Sequence, residues 1–212
     1  MDAAAMRPSL DHRPLVDADD AALVLSLQRS QPGAAALLWR RFLPMVRATV
    51  RRMLGPGRDE DDVVQEVFLR FYASVHRMRE PALVRSFLFG VCVRTVRKEI
   101  RRRKLRSWLR LHGDAVDDQA VDWPAVAGDP EAREAIRRFY ALLDGLRGES
   151  RSLLVVRFLE GKELTEVARL HDMSLSTVQR KLAKAVARVT ALVRQDPALS
   201  AYVTARMFGG ES

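Results

Sequence analysis

The stretch from Glu163 to Arg188 leaves the chain little choice of fold. Leu164, Val167, Ala168 and Leu170 recur at helical spacing and predict a short helix with one apolar face. His171-Asp172 falls where that helix must end, and Asp accepts a left-handed backbone more readily than most residues that carry a side chain. Ser174 or Ser176 then supplies an N-cap for a longer helix, because a serine oxygen accepts from the free N–H groups of a first turn. At about 100° per residue, Val178, Leu182, Ala185, Val186 and Val189 share one side of this second helix. Ser176, Thr177, Arg180, Lys181, Lys184 and Arg188 share the other, and no acid occurs between Ser174 and Val193. This is a helix-turn-helix pattern, and it suits the DNA major groove: hydroxyls and guanidinium groups reach base edges, while later cations meet phosphate. An amphipathic hairpin with a solvated basic face would share the charge. It would not require turn, cap and apolar spacing to agree.

The overall charge points the same way. Among 212 residues, 36 Lys and Arg stand against 27 Asp and Glu, a formal net charge of +9, which favours a polyanionic partner, nucleic acid ahead of anionic membrane. A hydrophobic share of 48% is ample for one or two cores. The one cysteine, Cys92, excludes an intramolecular disulfide and leaves no zinc-type cluster. No apolar run approaches the ~20 residues of a bilayer span, and the N-terminus lacks a signal peptide's apolar core. The expected location is the cytoplasm. His12, His76, His112 and His171 are scattered, no carboxylate pair sits at a catalytic spacing, and no Gly-rich phosphate loop occurs. The residues therefore predict neither an enzyme nor a metal or cofactor site.

The expected fold is all-α, with two small helical domains joined by an acidic flexible linker, the C-terminal domain being the helix-turn-helix. Residues 1–16 form an N-terminal arm, 17–106 the first domain, 107–130 the linker, 131–194 the second domain and 195–212 a C-terminal extension. In the first domain, Leu23, Val24 and Leu27 mark one helix, and Leu37, Leu38, Phe42, Val46, Val50 and Leu54 a second, ending at Gly55-Pro-Gly57. A third begins with four acids among Asp59 to Asp62, favoured at the positive end of a helix. Its inner face is Val64, Val67, Phe68, Phe71 and Val75. Opposite lie Asp62, Gln65, Glu66 and Leu69, an apolar side chain amid polar ones that marks a partner surface. The fourth helix buries Val84, Phe87, Leu88, Val91, Thr95 and Ile100, and its outer side turns basic, with nine Lys/Arg and one acid, Glu99, from Arg94 to Arg110. Because this run continues a packed helix, it reads as a track for phosphate, with Trp108 and Phe87 as core or rim residues.

From Leu111 to Glu131 there are six acids and no Lys or Arg. The first reading is a solvated tether; the second has Asp114, Asp117, Asp118 and Asp122 stand in for nucleic acid inside a basic channel. In the second domain Ile136, Phe139, Tyr140, Leu142, Leu143 and Leu146 mark one helix. Leu153, Leu154, Val156 and Phe158 are the buried positions expected of the next, with Arg157 packing its stem and extending its head to water.

Together these features resemble the bacterial RNA polymerase sigma factors of the extracytoplasmic-function group, over about Asp17 to Val193. Asp59-Glu-Asp-Asp-Val-Val-Gln-Glu-Val-Phe-Leu-Arg70 looks like the family's polymerase-binding helix, which implies that Asp61, Asp62, Gln65, Glu66 and Leu69 dock on core polymerase. Residues Arg77 to about Lys104 look like the part that captures and opens the −10 element, with Arg77, Arg79, Arg85, Arg94, Arg97, Lys98, Arg101 and Arg102 as its DNA contacts. Gly161 to Arg188 resembles the −35-reading part, with Ser176, Thr177, Arg180, Lys181, Lys184 and Arg188 on the DNA. The chain departs from the family at Phe87, commonly Trp, at Arg94 and Lys98, commonly Asn and Asp, and at Asp172, commonly the turn glycine. The implied partners are RNA polymerase core enzyme and promoter DNA, with an anti-sigma protein as a further candidate. A helix-turn-helix regulator that never joins polymerase is the alternative; a nuclease or recombinase would need clustered metal-binding acids.

Overall fold

Caps and apolar spacing set the helix boundaries of the computed structural model, which describes residues 19–55, 60–109 and 129–208. Asp19 caps α1 (Asp20–Gln28) by accepting from the Ala22 N–H at 2.7 Å. Gly33, with φ +83°, turns the chain into α2 (Ala34–Leu54). α3 (Glu60–Val75) opens with three acids. A 3₁₀ turn, Pro81–Leu83, leads into α4 (Val84–Leu109). Asp129 caps α5 (Pro130–Asp144) through the Ala132 N–H. α6 (Gly148–Leu154) runs on into a π-helical turn, Val155–Leu159. The helix-turn-helix is α7 (Leu164–His171) and α8 (Leu175–Gln195), and α9 (Pro197–Phe208) closes the chain. Among the described residues there is no strand, and no helix is long and apolar enough to cross a membrane.

α1 to α4 pack on one another around Phe42, Phe68, Phe71 and Leu88, all essentially without exposure; α5 to α9 form the second group. The two domains are not held apart. α4 packs against α6 and α7, and the end of α2 against the π turn, so one cluster of buried residues extends from Leu23 to Ala185. The N-terminal arm, Asp59 and the acidic stretch from Asp114 to Asp122 lie outside the described residues, as does the Trp108 side chain.

Two expected core positions are exposed instead. Phe158 is 59% exposed, and Val155 is buried in its stead. The cause is the π turn: the Glu160 N–H reaches back five residues to the Val155 carbonyl at 3.0 Å, which breaks the 3.6-residue register used to place Phe158. Val186 on α8 is exposed beside it, where the two side chains line an apolar groove with Phe139 and Leu159.

Candidate functional site

α3 presents its outer face as expected. Val63, Val64, Val67, Phe68, Phe71 and Val75 are buried, whereas Asp61, Asp62 and Gln65 are exposed and Leu69 is 56% exposed. Glu66 is half-buried and accepts from Arg70 Nε at 2.6 Å, one helical turn on. Asp61 pairs with Arg47 of α2 at 2.8 Å, and Glu60 takes both arms of the Arg51 guanidinium at 2.9 and 3.2 Å. A shallow groove between α2 and α3 joins Trp39, Arg47 and Tyr72 to Asp61, Gln65 and Leu69. The Trp39 ring lies 4.2 Å from that of Phe68, which fixes the groove floor. Sequence reasoning missed Trp39, Arg47 and Tyr72. Tyr72 continues the Gln65–Leu69 ladder at helical spacing and was findable; the other two sit on another helix, which spacing along α3 cannot reach.

The basic residues of the −10 group are placed in three different ways. Arg77 and Arg79 are exposed in the loop before α4, and Arg94, Lys98, Arg101 and Arg102 are exposed along it. Arg85 is bound within its own domain: its Nε donates to Asp20 at 2.6 Å and its guanidinium lies 5.4 Å from the Phe42 ring centre. Arg97 is half-buried, and loss of water lowers its pKa, with Arg101 adding repulsion and Glu149 and Asp172 opposing it. Glu99, the one acid of the run, has a buried side chain. It gathers Arg102 at 2.8 Å, Arg103 at 3.3 Å and Arg106 at 2.9 Å. Phe87 is a rim residue, its ring 6.2 Å from that of Phe71.

The helix-turn-helix forms at the residues that signalled it. Asp172 adopts φ +53°, and Ser174 rather than Ser176 is the cap, accepting from the Thr177 N–H at 3.3 Å while its own hydroxyl donates to Thr177 Oγ1 at 2.8 Å. Val178, Leu182 and Ala185 hold α8 to the core. Ser176, Arg180, Lys184 and Arg188 are exposed on the far side. Lys181 is half-buried and donates to Glu149 of α6 at 2.5 Å. Gln179 is exposed at the edge of this face, an amide able to donate and accept; a search for cations passes over it. His171 is buried behind the turn. Its Nδ1–H donates to the Val167 carbonyl at 3.0 Å, which leaves Nε2 to accept from the Ser152 hydroxyl at 3.0 Å. Burial, and then the charge of Arg97, push the imidazole pKa down to about 4.

Comparison with known proteins agrees with this layout. Residues 38–106 match Sigma-70 region 2, and residues 136–189 match Sigma-70, region 4. The ferric citrate uptake sigma factor FecI of Escherichia coli K12 is 30% identical over 148 residues, covering 66% of this chain and 80% of FecI. The RNA polymerase sigma factor CnrH of Cupriavidus metallidurans is 25% identical over 190 residues, covering 85% of this chain and 96% of its own length. The fold is shared with CnrH solved in complex with the cytosolic domain of CnrY (TM-score 0.55, 21% identity, 84% of this chain and 98% of that one). It is also shared with RpoE of Bartonella quintana solved with NepR (TM-score 0.56, 15% identity, 74% and 95%). The chain belongs to the extracytoplasmic-function group of the sigma-70 family, proteins that are not enzymes themselves but direct RNA polymerase to promoters.

Proposed function

We propose a division of that work among three surfaces. Residues 17–106 bind core polymerase and handle the −10 element, 107–130 tether the halves, and 131–194 read the −35 element, with 195–212 as an extension. Asp61, Asp62, Gln65, Glu66 and Leu69 meet core polymerase, in a groove shared with Trp39 and Tyr72. The observation that carries this is Leu69, an apolar side chain 56% exposed amid carboxylates and an amide. One exposed leucine is ordinary on its own; one on the rim of a groove floored by aromatic rings offers a partner apolar contact surrounded by directional polar groups.

On α4, Arg94, Lys98 and Arg101 provide the accessible charge for an unwound strand, with Arg77 and Arg79 from the loop. On α8, Ser176, Thr177 and Arg180 face base edges while Lys184 and Arg188 meet phosphate. The site of action is the cytoplasm, where polymerase and promoter are. The RpoE likeness, solved with its anti-sigma factor NepR, supports an inhibitor protein as a third partner.

Leu69→Ala combined with Glu66→Lys tests the polymerase surface. Pull-down titration with core enzyme should show weakened binding while thermal unfolding is nearly unchanged, since neither side chain is in the core. Unchanged affinity for core enzyme would remove α3 as the docking helix.

A further inference from the structure

The most specific polar contacts in the molecule cross between the two domains, and they converge on the C-terminal end of α2. Arg151 of α6 is 3% exposed. Its Nε donates to the Met53 carbonyl at 3.0 Å, a second nitrogen donates to the Leu54 carbonyl, and the third binds Asp144 of its own domain. A guanidinium thus caps carbonyls that a helix end leaves without intrahelical partners, at the negative pole of the helix dipole. Beside it, Arg52 forms a two-pronged pair with Glu160 at 2.7 and 3.1 Å, and the Tyr140 hydroxyl donates to the Arg52 carbonyl at 2.8 Å. Two glycines let the backbones meet. A Cβ at Gly55 would stand 2.7 Å from the Tyr140 ring, and one at Gly148 would stand 2.8 Å from Ile100 Cγ2.

This contact has a consequence for α4. Gly148 rests on Ile100 and Arg101, and Leu170 lies against Gly90, so α6 and α7 cover part of the basic helix. Arg97 is half-buried there and sits under the influence of Glu149 and Asp172. Glu149 meanwhile holds Lys181 of the recognition helix. One carboxylate therefore acts on a cation from each of the two helices assigned to DNA, in positions where phosphates would otherwise compete. A strand following the whole basic track would have to displace α6.

We propose that this arrangement is a latent state, in which Arg151 and the Arg52–Glu160 pair latch the C-terminal domain over α4, and that the two halves separate before α4 takes up DNA. The latch suits reversal. Its main contacts are charged or are made to helix-end carbonyls, both of which water satisfies once the halves part. The proposal rests on the assignment of α4 to DNA opening made above.

A disulfide across the seam tests it. The Cβ position at Gly148 lies 3.7 Å from Ile100 Cβ, within the usual range for a bridged pair, so Ile100→Cys with Gly148→Cys should link under mild oxidation. In run-off transcription with core polymerase, the reduced double variant should be active and the linked form should lose about tenfold or more, with recovery on adding dithiothreitol. A linked protein as active as the reduced one would overturn the latch while leaving the sigma assignment intact. So would a reduced variant that is active yet resists linking, because the halves would then not meet in solution. A wild-type chain that gives no promoter-dependent transcript with core enzyme would instead fail the assignment itself. As a second route, Arg52→Ala with Glu160→Ala should enlarge the radius of gyration in X-ray scattering and speed open-complex formation several-fold; no change in either would also overturn the latch.

Discussion

Along α8 no carboxylate occurs from Ser174 to Val193, and Arg180, Lys184 and Arg188 stand exposed. Along α4 the cations are denser, but Glu99 gathers Arg102, Arg103 and Arg106, and α6 half-covers Arg97. Just before the dense run, Asp20 binds Arg85. The helix with the greater formal charge therefore has the smaller share of it ready for use. A cation contributes to phosphate binding through the counterions its contact releases, and one already paired must first exchange a carboxylate for the phosphate. Charge counted along a sequence measures potential; charge counted after internal partners are subtracted measures what a polyanion meets.

The difference also concerns how each helix is held, and there the largest effects are expected. Only Val178, Leu182 and Ala185 of α8 are fully buried, whereas α4 has an unbroken inner face from Val84 to Ile100. Leu182→Ala should destabilise the protein by about 2–5 kcal/mol in denaturant unfolding. A cost below about 1 kcal/mol would mean that α8 is held by other means.

His171 lies where α4 meets the helix-turn-helix, and it makes that junction sensitive to acid. Its folded pKa is down to about 4, below the unfolded value near 6.5. The unfolded chain therefore takes up the proton first. The stability from a neutral His171 is complete above about pH 6.5 and is lost as pH falls toward 4, by about 3 kcal/mol at most. His171→Gln should flatten that part of the stability profile measured by chemical unfolding at successive pH values; an unaltered slope would mean that another group controls it.

Reading and holding DNA should separate along α8. Arg180→Ala should cost about 1–3 kcal/mol at the preferred upstream element and relax sequence choice there. Lys184→Ala should weaken binding to all sequences alike and lower the salt slope by about one. Equal losses on specific and random duplex for both variants would erase the distinction.

The smallest effect sharpens the comparison itself. Glu99→Gln should free Arg102, Arg103 and Arg106, so that non-specific DNA affinity rises and the salt slope steepens by about one or more. A slope equal to that of the unaltered protein would show that the three arginines are already available. Their pairing with Glu99 would then be exchanged at no cost.

Much of this was legible in the sequence, and the reason is local. Asp172 at the turn, Ser174 at the cap and the inner face of α3 each depend on neighbours within a few residues, which spacing and residue chemistry report directly. Leu69 stood out because it interrupts a polar face. What stayed hidden depends on distance along the chain. Nothing near Arg151 in the sequence indicates that it will cap a helix ending at Leu54, and Arg52 gives no sign of Glu160. Gly55 was readable as a helix breaker, with φ +75°, but not as the place where Tyr140 presses closest. Arg157 shows the same limit at short range: its guanidinium turns back to the Lys162 carbonyl at 2.8 Å instead of extending into water.

The π turn at Val155–Leu159 places part of the domain contact in the number of residues rather than in their kinds. Deleting any one of the five would let the segment relax into ordinary α-helix, and everything after it would rotate by about 100° around the axis. Glu160 would swing away from Arg52, though neither residue had been altered. Close relatives that differ here by a single-residue gap would thus inherit the same side chains and a different relation between their halves. An alignment that scores only identities would record them as equivalent.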